Sequence, residues 1–190
     1  PGAQRTEVYD SNGKEIGILR YDIDRELITI SQVPDDVLGT LLAVEDNKFW
    51  THNGVDIRAI SRAMIQNLTS GAITQGGSTI TQQIVKLRIV GNESSLSRKI
   101  REAVLAARLE EEFSKEQILE FYLNEIYFGN GAYGLQAAAE TYFGKDVDQL
   151  DVGDAALLAG LIRSPGIFDG FGDVEIVGKR RSMSLQSAEA

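Results

Sequence analysis

The fold is decided at residues 114–123, which read SKEQILEFYL. Ser114 and Gln117 have the spacing of a capping box, in which each side chain bonds a free backbone N–H at a helix start. The apolar residues that follow share one face of a helix, and they are Ile118, Leu119, Tyr122 and Leu123. This stretch therefore predicts an amphipathic helix that begins beside Ser114.

Helical signals also occur on both sides of that stretch. Acidic first-turn residues precede a helical run that ends at Glu45, and Asp151 begins another near the end of the chain. Asp56 has the position of an N-cap for a helix that the Ser-Gly pair at 70–71 would stop. Another amphipathic helix, with a charged opposite face, is predicted from apolar residues at helical spacing, which are Leu96, Ile100, Ala103, Val104 and Ala107. The predicted fold class is mainly α.

The N-terminal part of the chain has a different pattern. Residues 6–9 and 15–19 flank an Asn-Gly pair, which favours the positive φ angles of a hairpin turn, so we expect a short N-terminal β-hairpin. Beyond Pro165 the periodicity fades among scattered glycines. The predicted division of the chain is residues 1–35 for the hairpin and its lead-in segment, 36–171 for the main domain, and 172–190 for a weakly ordered tail.

Composition excludes several classes of protein. The 190 residues are 43% hydrophobic and 25% charged, as in ordinary globular domains. The net charge of −9 argues against a general nucleic-acid binder, because phosphate backbones require a basic surface. The absence of cysteine excludes disulfides, a thiolate nucleophile and zinc sites of the Cys type. No run of the sequence approaches the roughly 20 apolar residues that span a bilayer.

The first patch with chemical potential reads EDNKFWTHNG over residues 45–54, at a predicted helix end. A carboxylate beside aromatic side chains is partly desolvated, which raises its pKa toward the range of a general base. Glu45 is therefore a candidate catalytic residue. The alternative is a solvated acid next to a histidine with a structural hydrogen bond.

Two further patches are rich in small, polar or aromatic residues. Residues 76–83 read GGSTITQQ at a predicted helix start, which suits an anion or a sugar. The alternative is a tight turn followed by an ordinary N-cap. Residues 122–134 read YLNEIYFGNGAYG, which suits the wall of a sugar cleft; the alternative is a pair of helices packed through aromatic side chains.

The remaining patch is a basic segment from Lys86 to Arg108, in which six basic residues stand against two acids. Clustered Arg and Lys suit a diphosphate. Glu102 follows Arg98 and Lys99 by four and three positions, so it can share their helix face and be held ionised by them. The alternative is ordinary ion pairing along a helix.

Two motifs in the chain do not carry the function they suggest. Gly129, Gly131 and Gly134 spell G-x-G-x-x-G, but they follow a helical pattern instead of the strand that a dinucleotide site requires. Ser11 and Lys14 spell the S-x-x-K of penicillin-reactive serine enzymes, but neither S-D-N nor K-T-G occurs in the chain. We reject both interpretations.

In this order, the patches resemble the family 51 glycosyltransferases, which comprise the glycosyltransferase domains of class A penicillin-binding proteins and the monofunctional peptidoglycan glycosyltransferases. The resemblance covers roughly residues 8–171 and includes the run RKIREA at residues 98–103. It implies that residues 36–171 form a peptidoglycan glycosyltransferase domain with a lysozyme-like, two-lobed α-helical fold, and that lipid II is the substrate.

The resemblance also implies roles for individual residues. Glu45 is the general base that takes the proton from the acceptor sugar 4-hydroxyl, which then displaces the lipid diphosphate with inversion and extends a β-1,4-linked glycan. Glu102 is the second acid, near the donor diphosphate. The substrate-binding positions that the motifs imply are Arg62, Gly77, Ser78, Thr79, Gln82, Gln83, Lys86, Arg98, Lys99 and Arg108.

The resemblance implies no organic cofactor and leaves room for a divalent cation, Mg²⁺ or Mn²⁺, beside Glu102. The implied partners are lipid II, the growing glycan chain, a membrane surface, moenomycin-type inhibitors and a transpeptidase domain or other cell-wall synthesis proteins, but no nucleic acid. We expect membrane contact from the apolar residues of segment 64–90. The expected location is the extracytoplasmic face of the bacterial cytoplasmic membrane, with an anchor outside this chain.

The sequence departs from the family pattern at two places. Ser94 stands where an Arg is usual, and Leu87-Arg88 stands where Asn-Leu is common, so we expect weaker donor binding. Two other functions stay open. A lytic muramidase with a lysozyme-like fold would explain Glu45 but not the basic segment, and a catalytically silent glycan-binding module would hold glycan without turnover.

Overall fold

The computed structural model describes residues 6–9, 15–19, 26–62, 77–90 and 95–163. Helices dominate these residues, which confirms the predicted mainly α class. They are α1 (Asp35–Glu45), α2 (described over residues 57–62), α3 (Ile80–Val85), α4 (Leu96–Glu112), α5 (Lys115–Glu125), α6 (Leu135–Phe143) and α7 (Val152–Arg163). Short 3₁₀ turns lie at Ile30–Gln32 and Val147–Gln149, and a π-helical stretch at Lys86–Val90 continues α3.

Two small antiparallel sheets accompany the helices. Strands β1 (Thr6–Tyr9) and β2 (Glu15–Leu19) pair with each other, which confirms the predicted N-terminal hairpin. Strands β3 (Tyr127–Gly129) and β4 (Ala132–Tyr133) form a second hairpin that the sequence pattern did not predict. Its tight turn needs the left-handed region of the backbone, and Asn130 and Gly131 supply φ values of 51° and 76°.

The predicted helix starts are confirmed. The Gln117 side chain accepts a hydrogen bond from Ser114 N at 2.9 Å, and Ser114 Oγ accepts one from Gln117 N at 3.3 Å. Asp56 Oδ1 accepts a hydrogen bond from the amide of Ala59 at 2.9 Å, and Asp151 caps α7 in the same way. The predicted helix stop at 70–71 and the tail at 172–190 lie outside the described residues.

The chain divides into two compact units. The first contains residues 1–44 and 123–190, and the second contains residues 45–122. In the first unit, the Asn124 carboxamide fixes the segment that precedes α1, because it accepts from Ile28 N at 2.9 Å and donates to Ile28 O at 2.8 Å. Buried small and branched residues fill α6 and α7, among them Ala138, Ala139, Ala155, Leu158 and Leu161.

The second unit contains α2, α3, α4 and most of α5, together with the loop that follows Glu45. Its fully buried side chains include Phe49, Ile80, Val85, Ala106, Leu119 and Tyr122. Full burial of a side chain such as Leu119 stabilises the fold by about 1.5–3 kcal/mol relative to leaving it exposed. The two acids and the ten substrate-binding positions that the resemblance implies all belong to this unit.

The sequence interpretation of α4 was wrong about which face is buried. Ile100 is 57% exposed and Val104 is 50% exposed, whereas Glu102 and Ala106 are 1% and 0% exposed. The reason is that the inner face holds the ion pairs of Glu102, and that its backbone at Ala106 lies so close to Gly54 that a Cβ on Gly54 would be only 2.6 Å away. No helix in the described part of the chain is long and apolar enough to span a membrane.

Candidate active site

Glu45, the last residue of α1, faces a neutral hydrogen-bond donor. Gln83 Nε2 on α3 donates to Glu45 Oε2 at 3.0 Å. The other end of the same carboxamide accepts a hydrogen bond from the Tyr122 hydroxyl at 3.1 Å. Glu45 and Gln83 are half-buried, and Tyr122 is fully buried. The structure therefore brings two predicted site residues together and adds Tyr122, which the sequence analysis placed in a candidate sugar-cleft wall without a role of its own.

The residue after Glu45 fixes the start of α3. The buried Asp46 carboxylate accepts a hydrogen bond from Ile80 N at 2.9 Å, and the same oxygen lies 2.9 Å from His52 Nε2. The bond from Ile80 N places the negative charge of Asp46 at the amino end of α3, where the helix dipole favours it. Asp46 thus connects the loop that follows Glu45 to the helix that carries Gln83.

His52 is next to an ionic cluster formed by Glu110 and Lys115. Lys115 Nζ pairs with the Glu110 carboxylate at 2.8 Å and lies 3.3 Å from His52 Nδ1. Thr81 donates a hydrogen bond to Glu110 at 2.5 Å, and Lys115 Nζ lies 4.5 Å from the centre of the Phe49 ring. Sequence reasoning missed this cluster because the contacts of Thr81 with Glu110 and of Lys115 with His52 join residues 29 and 63 positions apart. The cluster holds α3, α4 and the start of α5 together within the second unit.

The glycine-rich patch forms the N-terminal cap of α3. Thr79 and Gln82 form a capping box, with Thr79 Oγ1 3.1 Å from Gln82 N and Gln82 Oε1 3.1 Å from Thr79 N. The Thr79 hydroxyl also donates to Gly54 O at 2.6 Å. At Gly77 a Cβ would lie 2.9 Å from the Cα of Ile60. These contacts give Gly77, Thr79 and Gln82 a structural role, and their predicted role in substrate binding stays a prediction.

Glu102 has surroundings of a different kind. Its carboxylate is buried, and Arg98 Nη1 lies 2.5 Å from Oε2 while the Lys99 ammonium pairs with Oε1. Lys99 Nζ also donates to Ser78 Oγ at 2.7 Å. The structure therefore confirms that Glu102 shares a helix face with Arg98 and Lys99. Two cations and one carboxylate leave this group with one positive charge, and the Lys99 side chain is 39% exposed, so its ammonium is open to an anion.

The other predicted substrate-binding cations lie on the surface. Arg62, Lys86 and Arg108 are all exposed. Arg62 is close enough to Asp56 to act on it electrostatically. Burial raises the pKa of Asp56, but hydrogen bonds from the amides of Ala59 and Arg58, with nearby Lys48 and Arg62, hold it below its ordinary value. Ser94 lies outside the described residues.

The predicted divalent cation does not fit Glu102 as the structure has it. Both oxygens of this carboxylate are bound by cationic side chains, so a metal ion would have to displace Arg98 or Lys99. In the part of the chain that the structure describes, no group of three His, Cys, Asp or Glu residues is placed to hold a metal. We derive no chemical step through a metal ion.

Comparison with known proteins identifies similar chains. Residues 12–189 match the family model described as Transglycosylase. Penicillin-binding protein 1A of Aquifex aeolicus is 45% identical over 183 residues, which cover 96% of this chain and 25% of that protein. Penicillin-binding protein 1F of Bacillus subtilis is 39% identical over 163 residues, covering 86% of this chain and 23% of that protein.

Two further relatives come from other bacteria. Penicillin-binding protein 1A of Escherichia coli is 41% identical over 180 residues, which cover 94% of this chain and 21% of that protein. The crystal structure of penicillin-binding protein 1A from Haemophilus influenzae covers 97% of this chain and 18% of its own, with a TM-score of 0.49 and 22% identity. The chain thus spans a quarter or less of the length of these relatives.

Proposed function

This chain belongs to the transglycosylase family and is a peptidoglycan glycosyltransferase domain of the penicillin-binding protein 1 type, and we propose that it polymerises lipid II. The proposed product is a β-1,4-linked glycan strand, formed with inversion at the donor sugar and with release of the lipid diphosphate. The observation that supports this reaction best is the contrast between Glu45, which faces a neutral amide, and Glu102, which is held between two cations.

Glu45 acts as the general base in this proposal. Its carboxylate takes the proton from the 4-hydroxyl of the acceptor sugar, and the oxygen forms a bond to the anomeric carbon of the donor. A carboxylate that receives a hydrogen bond from the neutral Gln83 amide keeps lone pairs for such a proton.

Lys99 and Arg98 stabilise the leaving group. The bond between the anomeric carbon and the diphosphate oxygen breaks, and the diphosphate leaves with the electron pair. Fixed positive charge lowers the barrier most where negative charge develops, and the Lys99 ammonium with the Ser78 hydroxyl offers two donors for it. The exposed cations Arg62, Lys86 and Arg108 extend this electropositive surface, and moenomycin-type inhibitors would compete for it.

We further propose that the domain has the lysozyme-like, two-lobed fold of its family and works at a membrane surface, on the extracytoplasmic face of the cytoplasmic membrane. Support for membrane contact comes from the π-helical stretch, where Leu87 and Ile89 are 50% and 59% exposed. The residues Ile65, Leu68 and Ile73, which the sequence added to this surface, lie outside the described residues.

Vesicle co-sedimentation tests the membrane proposal. Leu87→Asp with Ile89→Asp should reduce binding to lipid vesicles, because two charges would enter the apolar contact. Leu27→Asp is the matched control, since Leu27 is 63% exposed and belongs to the first unit. Equal binding by the parent and the double variant, with both folded, would place the membrane contact elsewhere.

Product analysis separates the proposed reaction from the two other functions. The domain should convert purified lipid II into polymer, seen as long glycan strands after separation. Shortened strands from preformed peptidoglycan would instead indicate a lytic muramidase, for which the basic group at Arg98 and Lys99 has no evident use. Binding of glycan without any change in its length would indicate a silent binding module.

A further inference from the structure

Tyr122 has a hydroxyl for which the mechanism above gives no role. It lies on α5, its side chain is 2% exposed, and it donates a hydrogen bond to Gln83 Oε1 at 3.1 Å. Gln83 in turn donates to Glu45 Oε2 at 3.0 Å. A continuous path of two hydrogen bonds therefore joins a buried phenol to the proposed catalytic base.

The chemistry of the three groups fixes the direction of this path. An ionised carboxylate only accepts hydrogen bonds, so Glu45 must face the NH₂ end of the Gln83 carboxamide. The carbonyl end then points to Tyr122, whose O–H is a good donor. The reversed carboxamide would set its oxygen against the carboxylate oxygen, which is repulsive. The Tyr122 hydroxyl favours the correct orientation, because it supplies the donor that the carbonyl end needs.

Gln83, in the middle of the path, and Tyr122, at its end, lie on helices whose starts are well anchored. The start of α3 is fixed by the Asp46 carboxylate, which accepts a hydrogen bond from Ile80 N at 2.9 Å. The start of α5 is fixed by its capping box and by Lys115, which pairs with Glu110. Side chains that hold a reacting group work best when they are themselves supported in this way.

We propose that Tyr122 is a positioning residue for the base. Its hydroxyl orients the Gln83 carboxamide, which holds the Glu45 carboxylate in place and favours its ionised form over its protonated form. This inference rests on the proposed role of Glu45 as the general base, and Tyr122 itself touches neither substrate nor reacting atoms in this proposal.

The first test is Tyr122→Phe, which removes one oxygen and keeps the ring. The loss of a donor to a buried carbonyl should lower kcat roughly 5- to 100-fold, while KM for lipid II stays within about twofold. The acidic limb of the pH–rate profile should move to higher pH, because a Glu45 carboxylate with a poorly held donor is protonated more easily. A merely structural role would not move that limb.

Two comparisons make the test specific. Tyr142→Phe is the matched control, since the Tyr142 hydroxyl donates to Phe128 O at 2.8 Å in the first unit, and its loss should leave the limb unchanged. Gln83→Met breaks the path in the middle, so adding Tyr122→Phe to it should change kcat by less than about twofold. Additive losses in the double variant would overturn the proposal.

The outcomes also distinguish this inference from the proposed function. A folded Tyr122→Phe with the parent kcat and the parent acidic limb overturns the positioning role, even if Glu45→Gln is inactive and the general base stands. Full activity in Glu45→Gln overturns the proposed function itself. If Tyr122→Phe does not fold, Gln83→Met decides: the limb must move to higher pH in that variant, and an unmoved limb overturns the proposal.

Discussion

Two acidic groups in the second unit, Glu45 and Glu102, accept hydrogen bonds from donors of different kinds. Glu45 ends a helix, where the dipole disfavours its negative charge, and its contact with Gln83 is a hydrogen bond from a neutral amide. Glu102 lies inside α4 with a guanidinium on one oxygen and an ammonium on the other. Chemically identical side chains in different environments can take different roles, and in the proposed reaction Glu45 transfers the proton while Glu102 balances charge.

The two groups also differ in what their loss would leave behind. Without Glu45, the neutral Gln83 amide loses one acceptor. Without Glu102, two cations lose their shared partner. This loss should destabilise the fold mainly through Arg98, whose side chain is 14% exposed, because solvent screens the charge of Lys99, which is 39% exposed. Glu102 therefore contributes to the fold as well as to the proposed diphosphate site.

The largest expected effect is at Glu45. Glu45→Gln keeps the shape of the side chain but cannot accept the proton, so the rate of polymerisation should fall by roughly 10² to 10⁴ while lipid II binding survives. The matched control is Glu111→Gln, an exposed position on α4, which should keep the parent rate. Loss of binding together with rate would mean that Glu45 holds substrate and does not accept the proton.

A smaller effect is expected at Lys99, which pairs with Glu102. Lys99→Glu removes a charge-assisted hydrogen bond to the diphosphate, which should weaken lipid II binding roughly 10- to 150-fold and reduce its dependence on salt. Arg101→Glu reverses a charge at an exposed position on the same helix and should weaken binding far less. Unchanged affinity in a folded Lys99→Glu would remove Lys99 from the donor site.

The parts of this arrangement that the sequence predicted are local. The capping box at Ser114 and the shared face of Glu102, Arg98 and Lys99 depend on residues three or four positions apart, so helical spacing was enough to predict them. The contacts of Gln83 with Glu45 and Tyr122 join residues 38 and 39 positions apart. Periodicity has no information on such pairs, and only the family resemblance pointed to Glu45 and Gln83 together.

Where the sequence interpretation failed, a tertiary contact overrode the pattern. Periodicity put Ile100 and Val104 on the apolar face of α4, yet both are exposed. The buried face instead carries Ala106, whose backbone lies against Gly54 in the loop that follows Glu45. This close approach requires glycine at position 54 of the loop, and the ion pairs require an acid on the inner face of α4, so the hydrophobic pattern of α4 alone does not predict its buried face.

Substitution of Gly54 should have an intermediate effect, because Gly54 connects the loop that follows Glu45 to the helix that carries Glu102. Its φ is +79°, and a Cβ there would lie 2.6 Å from the backbone of Ala106 on the helix that carries Glu102. Gly54→Ala should therefore destabilise the fold by about 1–3 kcal/mol and lower activity, as measured by denaturant unfolding and polymerisation. Gly131→Ala is the control, because Gly131 has a φ of +76° and nothing within 4 Å. Equal losses in both variants would show that backbone conformation, not contact with α4, explains the Gly54 effect.

The smallest expected effect comes from the titration of Tyr142, which belongs to the first unit. Burial, with a smaller contribution from Tyr127, raises the pKa of Tyr142 to about 12, although a hydrogen bond with Asn130 acts in the opposite direction. The folded protein therefore keeps this phenol neutral above pH 10, where the unfolded chain loses the proton, so stability should fall as pH rises from about 10 to 12. Tyr142→Phe should flatten that fall in unfolding experiments, and an equally steep fall in the variant would assign the effect to another group. Comparisons of Glu45 and Glu102 thus belong below pH 10.

The most direct test of the contrast between the two acids is the pH dependence of kcat/KM for lipid II polymerisation. It should be measured from about pH 5 to 9 in the parent, Glu45→Gln and Glu102→Gln. We predict an acidic limb in the parent that persists in Glu102→Gln, alongside weaker donor binding, and that disappears in Glu45→Gln together with most of the activity. A Glu45→Gln variant that retains the parent rate and the parent acidic limb would contradict the assignment of Glu45 as the base.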